Sequence, residues 1–119
     1  MKLTVENAVE IAKKYGFTYD EDLLAIIVPT NIYIDDDDFS FLRFEYGSEG
    51  FKYNCAYEFG LSVQESGIFG YHTTLFKYIT ATEEFEVNIK NFLFFIELAK
   101  PLEKKYAEQV KLNKIIGDF

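Results

Sequence analysis

Tryptophan is absent from the 119-residue chain, and cysteine and histidine occur once each. A single cysteine excludes an intrachain disulfide framework, and one Cys with one His cannot supply the four ligands of a structural zinc site. Basic residues are scarce: twelve Lys and Arg stand against twenty Asp and Glu, a formal charge of −8. Such a chain repels phosphate backbones and anionic lipid headgroups before contact, so direct binding to nucleic acid or membrane is not expected and a basic protein is the favoured partner. Long apolar runs are missing too. The most apolar stretch, Phe92 to Leu98, is broken by Glu97 and falls far short of the roughly 20 residues that span a bilayer. Met1 and Lys2 lead into a polar, periodic segment without the apolar core of a secretory signal, which makes the cytoplasm the expected location.

Catalytic signatures are lacking in the same way. There is no P-loop, no G-x-G-x-x-G, no G-x-S-x-G and no H-E-x-x-H, so neither a cofactor nor a metal is expected. Gly60, Gly67 and Gly70 have neither the spacing nor the following lysine of a phosphate cradle. His72 needs an orienting acid and a nucleophile such as Cys55, Ser66, Thr73 or Thr74, whose proximity is a tertiary matter. An enzyme or small-ligand domain is the alternative of a different class, with His72 and a carboxylate, or Glu45 and Glu58 on strands flanking one turn, as acid and base. Cys55, in an alternating strand pattern, reads as a buried reduced thiol.

What the chain has in quantity is apolar and aromatic surface: 49% hydrophobic residues, with thirteen Phe and nine Tyr. That is enough for one core in a chain of single-domain length. Val5, Ala8, Val9, Ala12 and Tyr15 recur at helical spacing, with Gly16 placed to close the helix. The unbroken run Leu23 to Val28 predicts a strand on its β-branched residues. Phe39, Phe41, Phe44 and Tyr46, the turn Gly47-Ser48-Glu49-Gly50, and alternating Phe51, Tyr53, Cys55, Tyr57 and Phe59 predict a β-hairpin. Its second strand turns Lys52, Asn54, Ala56 and Glu58 the other way, and Tyr46, Tyr53 and Tyr57 are candidate interface anchors. After a glycine-punctuated stretch, His72 to Ile79 suits another strand. Thr80 and Glu83 have capping-box spacing, and Phe85, Ile89, Phe92, Leu93, Ile96 and Ala99 continue as a helix that Pro101 kinks or ends. Leu102 to Ile116 has helical spacing again. The expected architecture is a single α+β domain: a twisted antiparallel sheet with N-terminal and C-terminal helices packed on one face.

The charge is unevenly placed. Residues 20 to 49 hold nine acids (Asp20, Glu21, Asp22, Asp35, Asp36, Asp37, Asp38, Glu45, Glu49) against Arg43, which accounts for the whole net charge. Residues 100 to 119 run mildly basic. In an extended chain, carboxylates two residues apart are separated by about 6.6 Å, close to the spacing of successive phosphates, so the row Asp35–Asp38 can imitate a nucleic-acid backbone toward Lys and Arg. A solvated acidic turn is the plain reading of the same residues. A hard-cation site there lacks the central Gly and terminal Glu of an EF-hand.

In size and in this charge layout, the Asp35-Asp36-Asp37-Asp38 run above all, the chain resembles the small acidic DNA-mimic proteins of bacteria and phages. The resemblance implies a non-enzymatic inhibitor occupying the basic nucleic-acid-binding surface of a bacterial protein, such as a histone-like nucleoid protein or a nuclease. Asp35 to Asp38 would act as phosphate surrogates, with Asp20, Glu21, Asp22, Glu45 and Glu49 as outer members. An immunity protein neutralising a cationic nuclease toxin uses the same steering and is the alternative. A monomer is expected.

Overall fold

The computed structural model describes the backbone of residues 1–29, 40–63 and 69–117. Thr4 caps the first helix, α1 (Val5–Lys14), by accepting the Asn7 amide while the Asn7 side chain accepts from the Thr4 amide. This reciprocal box satisfies two of the donors that every helix start leaves open. At the other end Gly16 takes a φ of +82°. Its amide donates to Lys13 and that of Phe17 to Ala12, the paired bonds of a Schellman stop. That turn swings Phe17 into the core, where it is buried.

Five strands follow as a simple antiparallel meander in chain order: β1 (Thr18–Asp20), β2 (Ala25–Ile27), β3 (Leu42–Gly47), β4 (Gly50–Val63) and β5 (Phe69–Ile79). The predicted hairpin is β3 and β4, closed by Gly47 opposite Gly50. Gly50 has a φ of +107°, a conformation an L side chain rarely adopts. Two expectations need correction. The predicted strand 23–28 shrinks to Ala25–Ile27, because Leu23 and Leu24 form the turn from β1, and Leu24 itself takes a φ of +50°. The glycine-rich stretch is strand over much of its length, for β4 continues through Gly60 and β5 begins before Gly70.

Gly60 has a local reason. It pairs with His72, and a Cβ on Gly60 would sit 2.6 Å from His72 Nε2 and 3.3 Å from Thr74 Cγ2. The imidazole therefore lies across a backbone that only glycine leaves open. We expect Gly60→Ala to destabilise the fold by about 1–2 kcal/mol, and by much less in a His72→Ala background. Urea unfolding of the four proteins of that cycle measures the coupling.

The second helix, α2 (Thr82–Gly117), is one continuous element running through Pro101. The sequence predicts that Pro101 kinks or ends the helix, and it does not end there: the proline removes the N–H that would bond to the Glu97 carbonyl, at an exposed position. The capping residue also differs from expectation. Glu84, not Glu83, reaches back, accepting from the amides of Ala81 and Thr80. Glu83 instead receives the terminal ammonium of Met1 at 2.8 Å, which holds its carboxyl below the usual range.

Both helices pack on the same sheet face. Phe85, Ile89, Phe92, Ile96 and Ala99 form the buried stripe of α2, and Tyr15 of α1 donates to Glu86 at 2.6 Å. Phe92 is fully buried at the centre, its ring 4.9 Å from that of Phe59, 5.5 Å from Phe41 and 6.3 Å from Phe17. The expected α+β architecture, an antiparallel sheet with N-terminal and C-terminal helices, is what the chain forms.

Candidate functional site

In a meander, alternate turns fall at the same end of the sheet. The β1–β2 and β3–β4 turns share one end, and Pro29 and Ser40, which flank the β2–β3 connection, lie at the other. Asp35, Asp36, Asp37 and Asp38, the centre of the sequence-based site, fall outside the described residues. The remaining five acids are brought to one end. Asp20 Oδ1 accepts from the amides of Asp22 and Leu23 at 3.0 and 3.1 Å, so its carboxylate shapes the turn and leaves Glu21 and Asp22 exposed. The Leu24 carbonyl accepts the Phe44 amide at 2.9 Å. That bond lays the turn beside β3 one residue before Glu45, with Glu49 exposed in the next turn of the same end.

Register places more of the site. Asp20 pairs with Ala25, Ala25 with Arg43, Arg43 with Asn54 and Asn54 with Tyr78. Directly paired residues point to one face, so this row lies on the face away from the two helices. Glu45, on the same face, accepts from Tyr78 Oη at 2.8 Å, and this bond raises the Tyr78 pKa above its ordinary value. Arg43 lies over the Phe76 ring at 5.7 Å.

Apolar groups interrupt the acidic end, and the charge reading did not find them. Leu23 and Leu24 are exposed at the tip of the first turn, and Tyr46 is 80% exposed, with its ring packed edge-on to Phe51 at 5.3 Å. Leu24 stands out because a bulky residue at positive φ is uncommon and costs on the order of 1–3 kcal/mol where it occurs. The sequence signal for Leu23 and Leu24 was hydrophobicity, which read as core strand. Of the three candidate anchors, Tyr46 and Tyr57 are exposed, while Tyr53 is half-buried with its ring 5.7 Å from Phe44. A cleft of about 350 Å³ opens beside the second turn, bounded by Lys2, Phe51, Tyr53, Tyr78 and Thr80.

The residues of the catalytic alternative are scattered. Glu45 faces Lys52, not Glu58, which lies six residues further along β4, about 20 Å at strand rise. The two acids are therefore not a pair. His72 lies against Gly60, Thr74 shares its face, and the Thr73 hydroxyl points the other way, buried and without a hydrogen-bond partner. Ser66 falls outside the described residues. Among the described residues no His, Cys, Asp and Glu cluster that suits a metal occurs.

Cys55 sits under α2, as the plain reading expects. Its Sγ accepts from Asn88 Nδ2 at 3.4 Å, and burial, only partly offset by that bond, pushes the thiol up to about 12. A thiol held neutral in the folded state stabilises fully below its ordinary value of 9.0, and that stability is lost as pH rises toward 12. The expected slope is about 1.4 kcal/mol per pH unit. Urea unfolding near pH 8 and again near pH 10.5 should therefore show wild type losing about 2 kcal/mol more than Cys55→Ser. Equal losses would mean that the thiolate forms without cost in the folded state.

No family model matches the chain, and no curated protein or solved structure matches it either.

Proposed function

We propose that the protein is a non-enzymatic binding protein whose acidic sheet end covers the basic, nucleic-acid-binding surface of another protein. The observation that carries this reading is the gathering of Asp20, Glu21, Asp22, Glu45 and Glu49 at one end of the meander by two turns that share it. Carboxylates presented this way attract Lys and Arg at long range and orient the encounter. Asp35 to Asp38 add four further charges to the chain, and their place in the interface is part of the proposal.

Mimicry of DNA and dedicated neutralisation of a nuclease toxin share this electrostatic step. Leu23, Leu24 and Tyr46 favour the second reading, because a phosphate backbone offers nothing like an exposed leucine pair and a tyrosine amid its charges. Apolar and aromatic anchors ringed by polar groups are how protein interfaces gain a slow off-rate toward one partner.

Capture from a bacterial lysate on the immobilised chain, eluted first with excess duplex DNA and then with high salt, tests the proposal. Release of a basic DNA-binding protein by duplex supports mimicry. Retention of a single nuclease through both washes supports the dedicated inhibitor. A captured set without basic proteins contradicts both.

A further inference from the structure

The length and patterning of α2 go beyond what the sheet requires. Its 36 residues extend about 54 Å, yet the last buried side chain described on it is Ala99. Beyond it the helix runs eighteen more residues, tied to the sheet by Glu103, which is half-buried and accepts from Tyr71 Oη at 3.4 Å. The helix also carries a second apolar stripe. Val87, Phe94, Leu98, Leu102 and Leu112 are 53–64% exposed and, at 100° per residue, fall within an arc of about 80° on the side away from Phe85, Ile89, Phe92 and Ile96. A helix apolar on two sides is built to be covered on both.

We propose that a second copy of this chain covers that stripe, with the two α2 helices antiparallel about a two-fold axis near Leu98 and Leu102. The charge along the helix supplies the argument. Residues 82–99 hold four acids and one lysine, of which Glu83, Glu84 and Glu86 have partners within the chain, and residues 100–112 hold four lysines and two acids. Parallel pairing would set Lys90 and Glu97 beside their own copies, whereas head-to-tail pairing sets them against opposite charges. The register that places Val87 against Leu112 of the other copy also places Lys90 against Glu108 and Glu97 against Lys104. These four charged residues lie on one flank of the stripe, and in an antiparallel helix pair like flanks meet. The symmetry repeats each ion pair. Asn91, Lys105 and Gln109 interrupt the stripe; the same register lays Lys105 over the Phe94 ring, where a cation is favoured.

Area agrees with this assignment. Five side chains, each offering on the order of 100 Å², give about 500 Å² per copy and about 1,000 Å² for the pair, the lower bound of a biological interface. The proposal departs from the monomer expected from the sequence. The inference does not depend on the proposed function, since it uses α2 and leaves the acidic sheet end exposed.

Sedimentation equilibrium from about 1 to 100 µM tests it. Wild type should reach twice the chain mass, and Leu98→Glu should remain monomeric with unchanged circular dichroism. Lys90→Glu and Glu108→Lys should each weaken the dimer about 5–10-fold, and the double variant should restore it, because each swapped charge meets its swapped partner only in the antiparallel register. A wild type that stays monomeric at 100 µM, a Leu98→Glu that still dimerises, or a double variant weaker than either single one would overturn the proposal.

Discussion

Reversing Glu21, Asp22 and Glu49 to lysine is expected to lower affinity for a basic partner by about 100-fold at low salt. Three exposed charges that each favour the complex become three that oppose it. With roughly 0.2–1 kcal/mol per exposed ion pair lost and a similar repulsion gained, the sum is near 2.7 kcal/mol. Fold stability should hardly change, because all three side chains are exposed. Asp20 is left intact in this variant because its carboxylate accepts two amides of the turn and so builds the surface being tested. The loss should shrink as salt shortens the screening length. Tyr46→Ala, by contrast, should weaken binding to a similar extent at every salt concentration, since an aromatic anchor acts through buried area. Asp35 to Asp38 changed together to Asn should also weaken binding. Isothermal titration against the captured protein at two salt concentrations separates these behaviours, and an unchanged affinity in the lysine variant would place the carboxylates outside the interface.

Phe92→Ala should be the most damaging single change to the fold. The ring is fully buried among Phe17, Phe41 and Phe59, so its removal leaves a cavity bounded by rigid aromatic rings that cannot easily collapse into it. The expected cost is about 3–5 kcal/mol, a large share of the 5–15 kcal/mol that holds a domain of this size folded. Thermal unfolding followed by circular dichroism should show a fall in midpoint of at least about 12 °C. A shift of only a few degrees would mean that the helix α2 is docked by something other than its aromatic stripe.

Much of this architecture is legible in the sequence where a strong period meets a stop signal. The 3–4 spacing from Val5 to Tyr15 with Gly16 behind it, and the strict alternation that follows Gly47-Ser48-Glu49-Gly50, each have one physical solution, and the chain takes it. Before the turn, Phe39 lies outside the described residues and Phe41 precedes the strand. Failures occur where a long-range contact decides. Thr18–Asp20 is too short and polar to announce a strand and exists because it pairs with Ala25–Ile27. Gly60 reads as punctuation yet serves the cross-strand approach of His72. Pro101 reads as a kink or an end, but the helix does not end there, because the loss of one bond at an exposed position does not outweigh the continuous docking of Phe85 to Ala99.

The candidate site divides in the same way. Its charge is a sum over residue types and can be read directly. The convergence of the two turns, the bond from Phe44 that brings Leu24 alongside β3, and the exposure of Leu23 and Tyr46 depend on register, which a composition does not carry. Glu45 and Glu58 show the cost of reading proximity from sequence, because flanking one turn does not bring residues at unequal distances from it face to face.

As proposed above, this protein and nucleic acid compete for one basic surface. Equilibrium displacement of a fluorescent duplex from the captured basic protein tests it most directly, with binding of the unlabelled chain followed in the same sample. Stoichiometric release of duplex is expected, with the midpoint shifted about 100-fold by the Glu21, Asp22 and Glu49 lysine variant. A ternary complex, in which the chain binds while the duplex stays in place, would contradict it.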